Sequence, residues 1–327
     1  MLYLLKIVLG RCHTLKSRMN SIGCALLIFL GLATAVQLAV VFGTELLFTL
    51  VDFGENTEKI ISDLAGGLPY LVSYIITLLI YKKAFGKRYV PVSFERKLGR
   101  HPVAMIFAAL GVIMTVSNLV SIFGFGEPAT IADEYHGESI VVMMITTVLI
   151  PAFCEELMFR GLVLSNLLPF GRTFAVVASG IIFGLIHGNH DQMVFATISG
   201  IALGYLYAET GSIWCGIIVH MFNNFSALAE TVICSDFAEA QSYKVCLVIE
   251  LIPVLLGAFF FFFLLRIKGS EDKKEFSHGG MGFVSEKFRC AAEIRLLGEK
   301  IKSFFAPAMI AFYCYVIFNE VAYVLMF

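Results

Sequence analysis

The sequence predicts an all-α polytopic membrane protein of about eight or nine transmembrane helices, and three observations carry that prediction. Of its 327 residues, 58% are hydrophobic and only 15% are charged. A soluble protein of this length needs more polar surface than that to cover its core. Several uninterrupted apolar stretches reach the roughly 20 residues that a helix needs to cross a bilayer. Basic residues also crowd alternate connections between those stretches, as the charge rule for multi-pass chains requires. The formal net charge of −1, with no basic domain, gives no footprint for nucleic acid.

Nine apolar segments follow in order: 22–42, 64–81, 102–123, 139–164, 173–188, 193–208, 213–228, 245–265 and 304–327. Lys6, Arg11, Lys16 and Arg18 precede the first, as they would in a signal peptide. Its apolar run is long for a signal core and has no small-x-small exit, so it reads as an anchor. The fifth and sixth are short, which suits helices shielded by neighbours or a locally thinned bilayer. Between the eighth and ninth, 269–302 is the one sizeable extramembrane piece. Phe288, Ile294, Leu297 and Ile301 recur there at helical spacing among charges, as in an interfacial amphipathic helix. This divides the chain into N-terminal helices (1–138), a core (139–228) and C-terminal helices (229–327).

Under strict alternation of these spans, 21 of the 24 Lys and Arg residues fall on one side, including Lys82, Lys83, Lys87, Arg88, Arg96, Lys97 and Arg100 in one connection. Glu45, Asp52, Glu55, Glu58 and Asp63 mark an opposite loop. The N-terminus is therefore expected in the cytoplasm. The eight cysteines form no CxxC pair. Cys24, Cys154, Cys215 and Cys314 fall inside apolar segments, and Cys234 and Cys246 flank an outward loop where a bridge is one alternative. A cysteine zinc site is not supported.

Ionisable side chains inside three of these spans are the informative feature, because charge in hydrocarbon is expensive and marks a functional site by default. The fourth span carries Glu155, Glu156 and Arg160. Glu156 and Arg160 are i, i+4 partners able to pair, and Glu155 points about 100° away. A buried carboxylate of this kind suits a general base, although an ion-pair network between helices is an equal alternative. The fifth span ends in His187, after Gly180, Gly184 and Gly188 at the four-residue spacing that lets helices approach closely. A lone histidine there is more often an interhelical donor. The seventh carries His220 and Asn224 on one face, able to donate to a developing oxyanion or to bond a neighbouring helix. Counted from the inner ends of their spans, Glu155 and His220 lie about 12–14 Å deep and His187 about 21 Å. That mismatch is unresolved at the level of sequence.

In order and spacing, Glu155-Glu156-x-x-x-Arg160, Phe183-x-x-x-His187 and His220-x-x-x-Asn224 resemble the EExxxR, FxxxH and HxxxN motifs of the CAAX-protease and bacteriocin-processing (CPBP, or Abi) family of intramembrane proteases. The flanking residues agree, from Gly161-Leu162 through Gly188-Asn189 and Gly200–Gly204 to Thr210-Gly211-Ser212-Ile213-Trp214. The resemblance covers about 139–228. It implies peptide hydrolysis within the membrane. Glu155 with His187 would activate a water, His220 and Asn224 would stabilise the oxyanion, and Glu156 with Arg160 would shape the site. It also implies a peptide or protein substrate, for the family best known as a prenylated C-terminal peptide, with membrane lipid around the chain, here taken as a bacterial plasma membrane.

Zinc is left open as a cofactor. Glu155, His187 and His220 could supply a two-histidine, one-carboxylate set, but there is no HExxH helix and no supporting carboxylate is evident behind either histidine. Two other classes compete: a non-catalytic scaffold or bacteriocin immunity protein, and a proton-coupled transporter, which should show internal repeats that the sequence lacks.

Overall fold

The computed structural model describes residues 14–85, 101–122, 140–188, 190–236, 239–276 and 296–326. Among them there is no strand, and each of the nine apolar segments is helical. The helices are α1 (Leu15–Leu50), α2 (Glu55–Phe85), α3 (Pro102–Ile122), α4 (Ile140–Phe170), α5 (Arg172–Ile186), α6 (His190–Thr210), α7 (Ile213–Asp236), α8 (Glu239–Phe276), α9 (Leu296–Phe304) and α10 (Pro307–Met326). The all-α polytopic class stands.

Among the described residues, α1, α2, α3, α4, α6 and α8 are long and apolar enough to cross a bilayer. The bent pair α9–α10, broken at 53°, makes a seventh. The remaining two expected spans are the ones that carry the candidate histidines. Helix α5 has only 15 residues, and α7 interrupts its apolar face with His220, Asn223 and Asn224. Both lean on neighbours, as short or polar membrane helices must. Of the 269–302 segment, helix structure is described up to Phe276 and from Leu296, and the stretch between lies outside the described residues. So do the side chains of Cys234 and Cys246.

Helix α4 is the hub of the bundle and packs against α1, α2, α5, α6 and α7. Its buried Met158, Phe159, Leu162 and Leu164 join Met19 and Ile22 of α1, Tyr74 of α2, Ile182 of α5, Ile217 of α7 and Phe312 of α10 in one core. Large apolar side chains elsewhere face outward, including Phe259 and Phe262 of α8 and Phe318 of α10, where the hydrocarbon is their solvent.

The glycines of α5 do two different things. A Cβ on Gly184 would meet the Met193 carbonyl oxygen at 2.7 Å and the Thr197 nitrogen at 2.9 Å, and Gly180 abuts Ile201 just as closely. These two let α5 and α6 touch backbone to backbone. Gly188, counted with them by its spacing, packs against nothing and adopts φ +69. It ends the helix rather than joining it to another. Arg172 at the start of α5 pairs with Glu209 at the end of α6 at 2.5 Å, as antiparallel neighbours require.

Candidate active site

Helix α4 does not run as a plain α-helix past the acidic pair. It widens to π-helix over Met144–Leu149 and again over Leu157–Leu164, on either side of Ile150–Glu156. Such π segments frequently mark functional sites, because each re-aims the side chains that follow. Glu155 and Glu156 emerge from the α-helical stretch between them.

Glu156 and Arg160 form the ion pair expected from their spacing, 3.0 Å apart and both with fully buried side chains. The guanidinium also donates to the Gly200 carbonyl of α6 at 3.4 Å and lies 5.0 Å from the Phe183 ring centroid. Glu156 fits only because α7 has a glycine opposite it. A Cβ on Gly216 would stand 2.5 Å from its Oε2.

His220 sits between the two carboxylates. Its Nδ1 is 3.2 Å from Glu156 Oε1, and its Nε2 is 3.8 Å from Glu155 Oε2. This corrects the expectation that neither histidine has a supporting carboxylate. Glu156 fills that place for His220, reached from the neighbouring helix and hence invisible to local spacing. Glu155 Oε2 is buried and has no hydrogen-bond partner among the described residues, since 3.8 Å is too long for one. Tyr74, on α2 and outside the resemblance, lies within electrostatic range of Glu155.

His187 stands at the end of α5, where the helix turns. Its Nδ1 is 2.7 Å from the Phe183 carbonyl, which leaves Nε2 as its other polar atom. It forms no ion pair with Glu155 in the structure. What ties it to the cluster is the buried Phe183 ring, 4.9 Å from the His187 ring and 6.0 Å from the His220 ring, centroid to centroid. Both imidazoles therefore stand against one phenylalanine. Phe159 packs on the same ring at 4.8 Å.

Asn224 lies one turn beyond His220. Its Nδ2 donates to the Thr147 carbonyl of α4 at 3.1 Å, and its Oδ1 accepts from Asn223 Nδ2 at 3.2 Å. The suggested zinc set does not assemble. Among the described residues, no three His, Cys, Asp or Glu groups are placed to share an ion. Glu155 and His220 face one another, but His187 is turned to its own helix.

Comparison with known proteins bears on the same stretch. Residues 137–226 match the Rce1-like family, described as type II CAAX prenyl endopeptidase Rce1-like. This stretch resembles a CPBP-family core. The chain is also 28% identical over 116 residues to the Bacillus subtilis (strain 168) protein named "Putative membrane peptidase YdiL". The match covers 34% of this chain and 47% of that relative, so the likeness spans about half the length of the curated relative. No solved structure matches.

Sequence spacing did not single out Gly216, Thr147 or Asn223 as members of this site. One signal was available, because Gly216, His220 and Asn224 form an i, i+4, i+8 stripe on α7. Thr147 enters through a backbone carbonyl, which side-chain patterns do not report.

Proposed function

We propose that the protein is an intramembrane endopeptidase in which Glu155 activates water against a peptide bond. One observation carries this: a buried carboxylate oxygen with no hydrogen-bond partner, facing an imidazole, inside a segment similar to CAAX endopeptidases. Glu155 accepts a proton from water while His187 Nε2 helps to hold that water, and the resulting hydroxide attacks the scissile carbonyl. As imidazolium, His220 donates Nδ1–H to Glu156 and presents Nε2–H to the oxyanion. Asn224 donates its remaining Nδ2–H to the same oxygen. Collapse of the tetrahedral intermediate breaks the C–N bond, and Glu155 returns its proton to the leaving amine. Glu156, held by Arg160, orients His220 and balances its charge.

The charge map supports a cytoplasmic N-terminus and a cleft closer to that face. The family description supports a prenylated C-terminal peptide as the first substrate to try. The test uses detergent-purified protein, internally quenched peptides with and without a farnesyl-cysteine, and the Glu155→Gln variant. Wild type should cleave at least one peptide, and the variant should melt at the same temperature and cleave none. Equal cleavage by both proteins would refute the assignment of Glu155.

A further inference from the structure

Whether Asn224 can serve an oxyanion depends on which end of its carboxamide points at the substrate. The amide nitrogen carries two protons and the oxygen none. In the structure both ends are engaged, Nδ2 on the Thr147 carbonyl at 3.1 Å and Oδ1 on Asn223 Nδ2 at 3.2 Å. A flipped amide would set oxygen against the Thr147 oxygen and NH2 against the Asn223 NH2, losing both bonds. One N–H, on Nδ2, is left over.

The Thr147 carbonyl is available to Asn224 for a reason written in the sequence. In an α-helix it would accept from the backbone N–H four residues on, and that residue is Pro151, which has none. The backbone here runs as π-helix over Met144–Leu149, with the Ile150 N–H bonded to the Ile145 carbonyl five residues back. Without that α-helical donor, the Thr147 carbonyl takes a partner from another helix. Asn224 of α7 is that partner.

We propose that Pro151 and Asn223 are positioning residues for the hydrolysis. Pro151 frees the Thr147 carbonyl that holds Asn224 Nδ2, and Asn223 holds Asn224 Oδ1, so that the remaining N–H is aimed at the oxyanion. This rests on the role proposed above for Asn224. Neither residue touches substrate.

Pro151→Ala restores a backbone N–H that lets this stretch adopt the α-helical register, in which it competes for the Thr147 carbonyl. A purely structural proline predicts the opposite of what is expected here. The variants Pro151→Ala, Asn223→Ala and their combination are compared with wild type on the quenched peptide that wild type cleaves fastest. Losing one oxyanion donor costs about 100- to 1,000-fold, and a misaimed donor retains some of its effect. Each single variant should therefore lose about tenfold in kcat, with KM within about twofold. The melting temperature of Pro151→Ala should be unchanged or raised. The double variant should lose no more than the worse single, because both act through one amide.

Wild-type kcat in a folded Pro151→Ala, or multiplied losses in the double variant, would overturn the proposal. Should Pro151→Ala not fold, Asn223→Ala decides alone: reduced kcat at constant KM upholds it and wild-type kcat overturns it. The two proposals fail separately. Cleavage by Glu155→Gln removes the hydrolytic assignment, whereas an inactive Glu155→Gln beside a fully active Pro151→Ala removes only the positioning role.

Discussion

Gly216 lies four residues before His220 on α7, and the place where its side chain would be is occupied by Glu156. In Gly216→Ala the new Cβ would stand 2.5 Å from Glu156 Oε2, against 3.4 Å for the start of ordinary contact. The carboxylate must retreat by about 0.9 Å, the difference between those distances. The yielding atom is the end of a flexible side chain, so α4 and α7 need not separate. Oε1 moves with it, and its contacts of 3.0 Å to Arg160 and 3.2 Å to His220 lengthen past hydrogen-bond range. A misplacement of about 1 Å at a catalytic group costs on the order of 100-fold in rate, while weakening a charged hydrogen bond costs the fold about 1.5–3 kcal/mol. The variant should therefore insert and fold with a modest loss of thermal stability, yet lose most of its kcat. Gly204→Ala is the control, since its Cβ meets Val176 only at 3.6–3.8 Å. Peptide cleavage and fluorescence-monitored melting in detergent read the two effects. A folded Gly216→Ala with wild-type kcat would show that Glu156 does not position His220.

Arg160→Met should destabilise the protein by about 3–5 kcal/mol, because it strands the fully buried Glu156 carboxylate. Adding Glu156→Gln should recover most of that loss, as measured by denaturation in mixed detergent micelles. No recovery would mean that Arg160 acts through packing rather than charge. Gly184→Ala places a Cβ against α6 backbone at 2.7 Å and 2.9 Å, which must push α5 and α6 away from each other. A loss of about 1–3 kcal/mol is expected, with reduced activity as His187 shifts, and an unchanged melting temperature would contradict the packing described.

The sequence was most legible where a rule acts within one helix. The nine apolar segments are all helical, and Glu156 pairs with Arg160 because i, i+4 geometry needs no knowledge of neighbours. Contacts between helices were only partly legible. Spacing grouped Gly188 with Gly180 and Gly184, but a glycine two residues past a helix end serves the turn, not the packing. The pairing of His220 with Glu156 joins α7 to α4 across the bundle, and no local pattern encodes it. The depth of His187 could not be deduced by counting residues, since α5 does not keep the length of a full span. The π-helical widening of α4 hid the role of Thr147, although Pro151 four residues on was a readable hint.

The central claim is that water, activated by Glu155, is the nucleophile. It is tested most directly by a single turnover in heavy-oxygen water, with enzyme in excess over a quenched peptide. Mass analysis then follows the label in the new product carboxylate and in the enzyme fragment containing Glu155. Hydrolysis by activated water puts one heavy oxygen in the product and none in Glu155, and Glu155→Gln yields no labelled product. Label in the Glu155 side chain, or a product formed without it, would contradict the account.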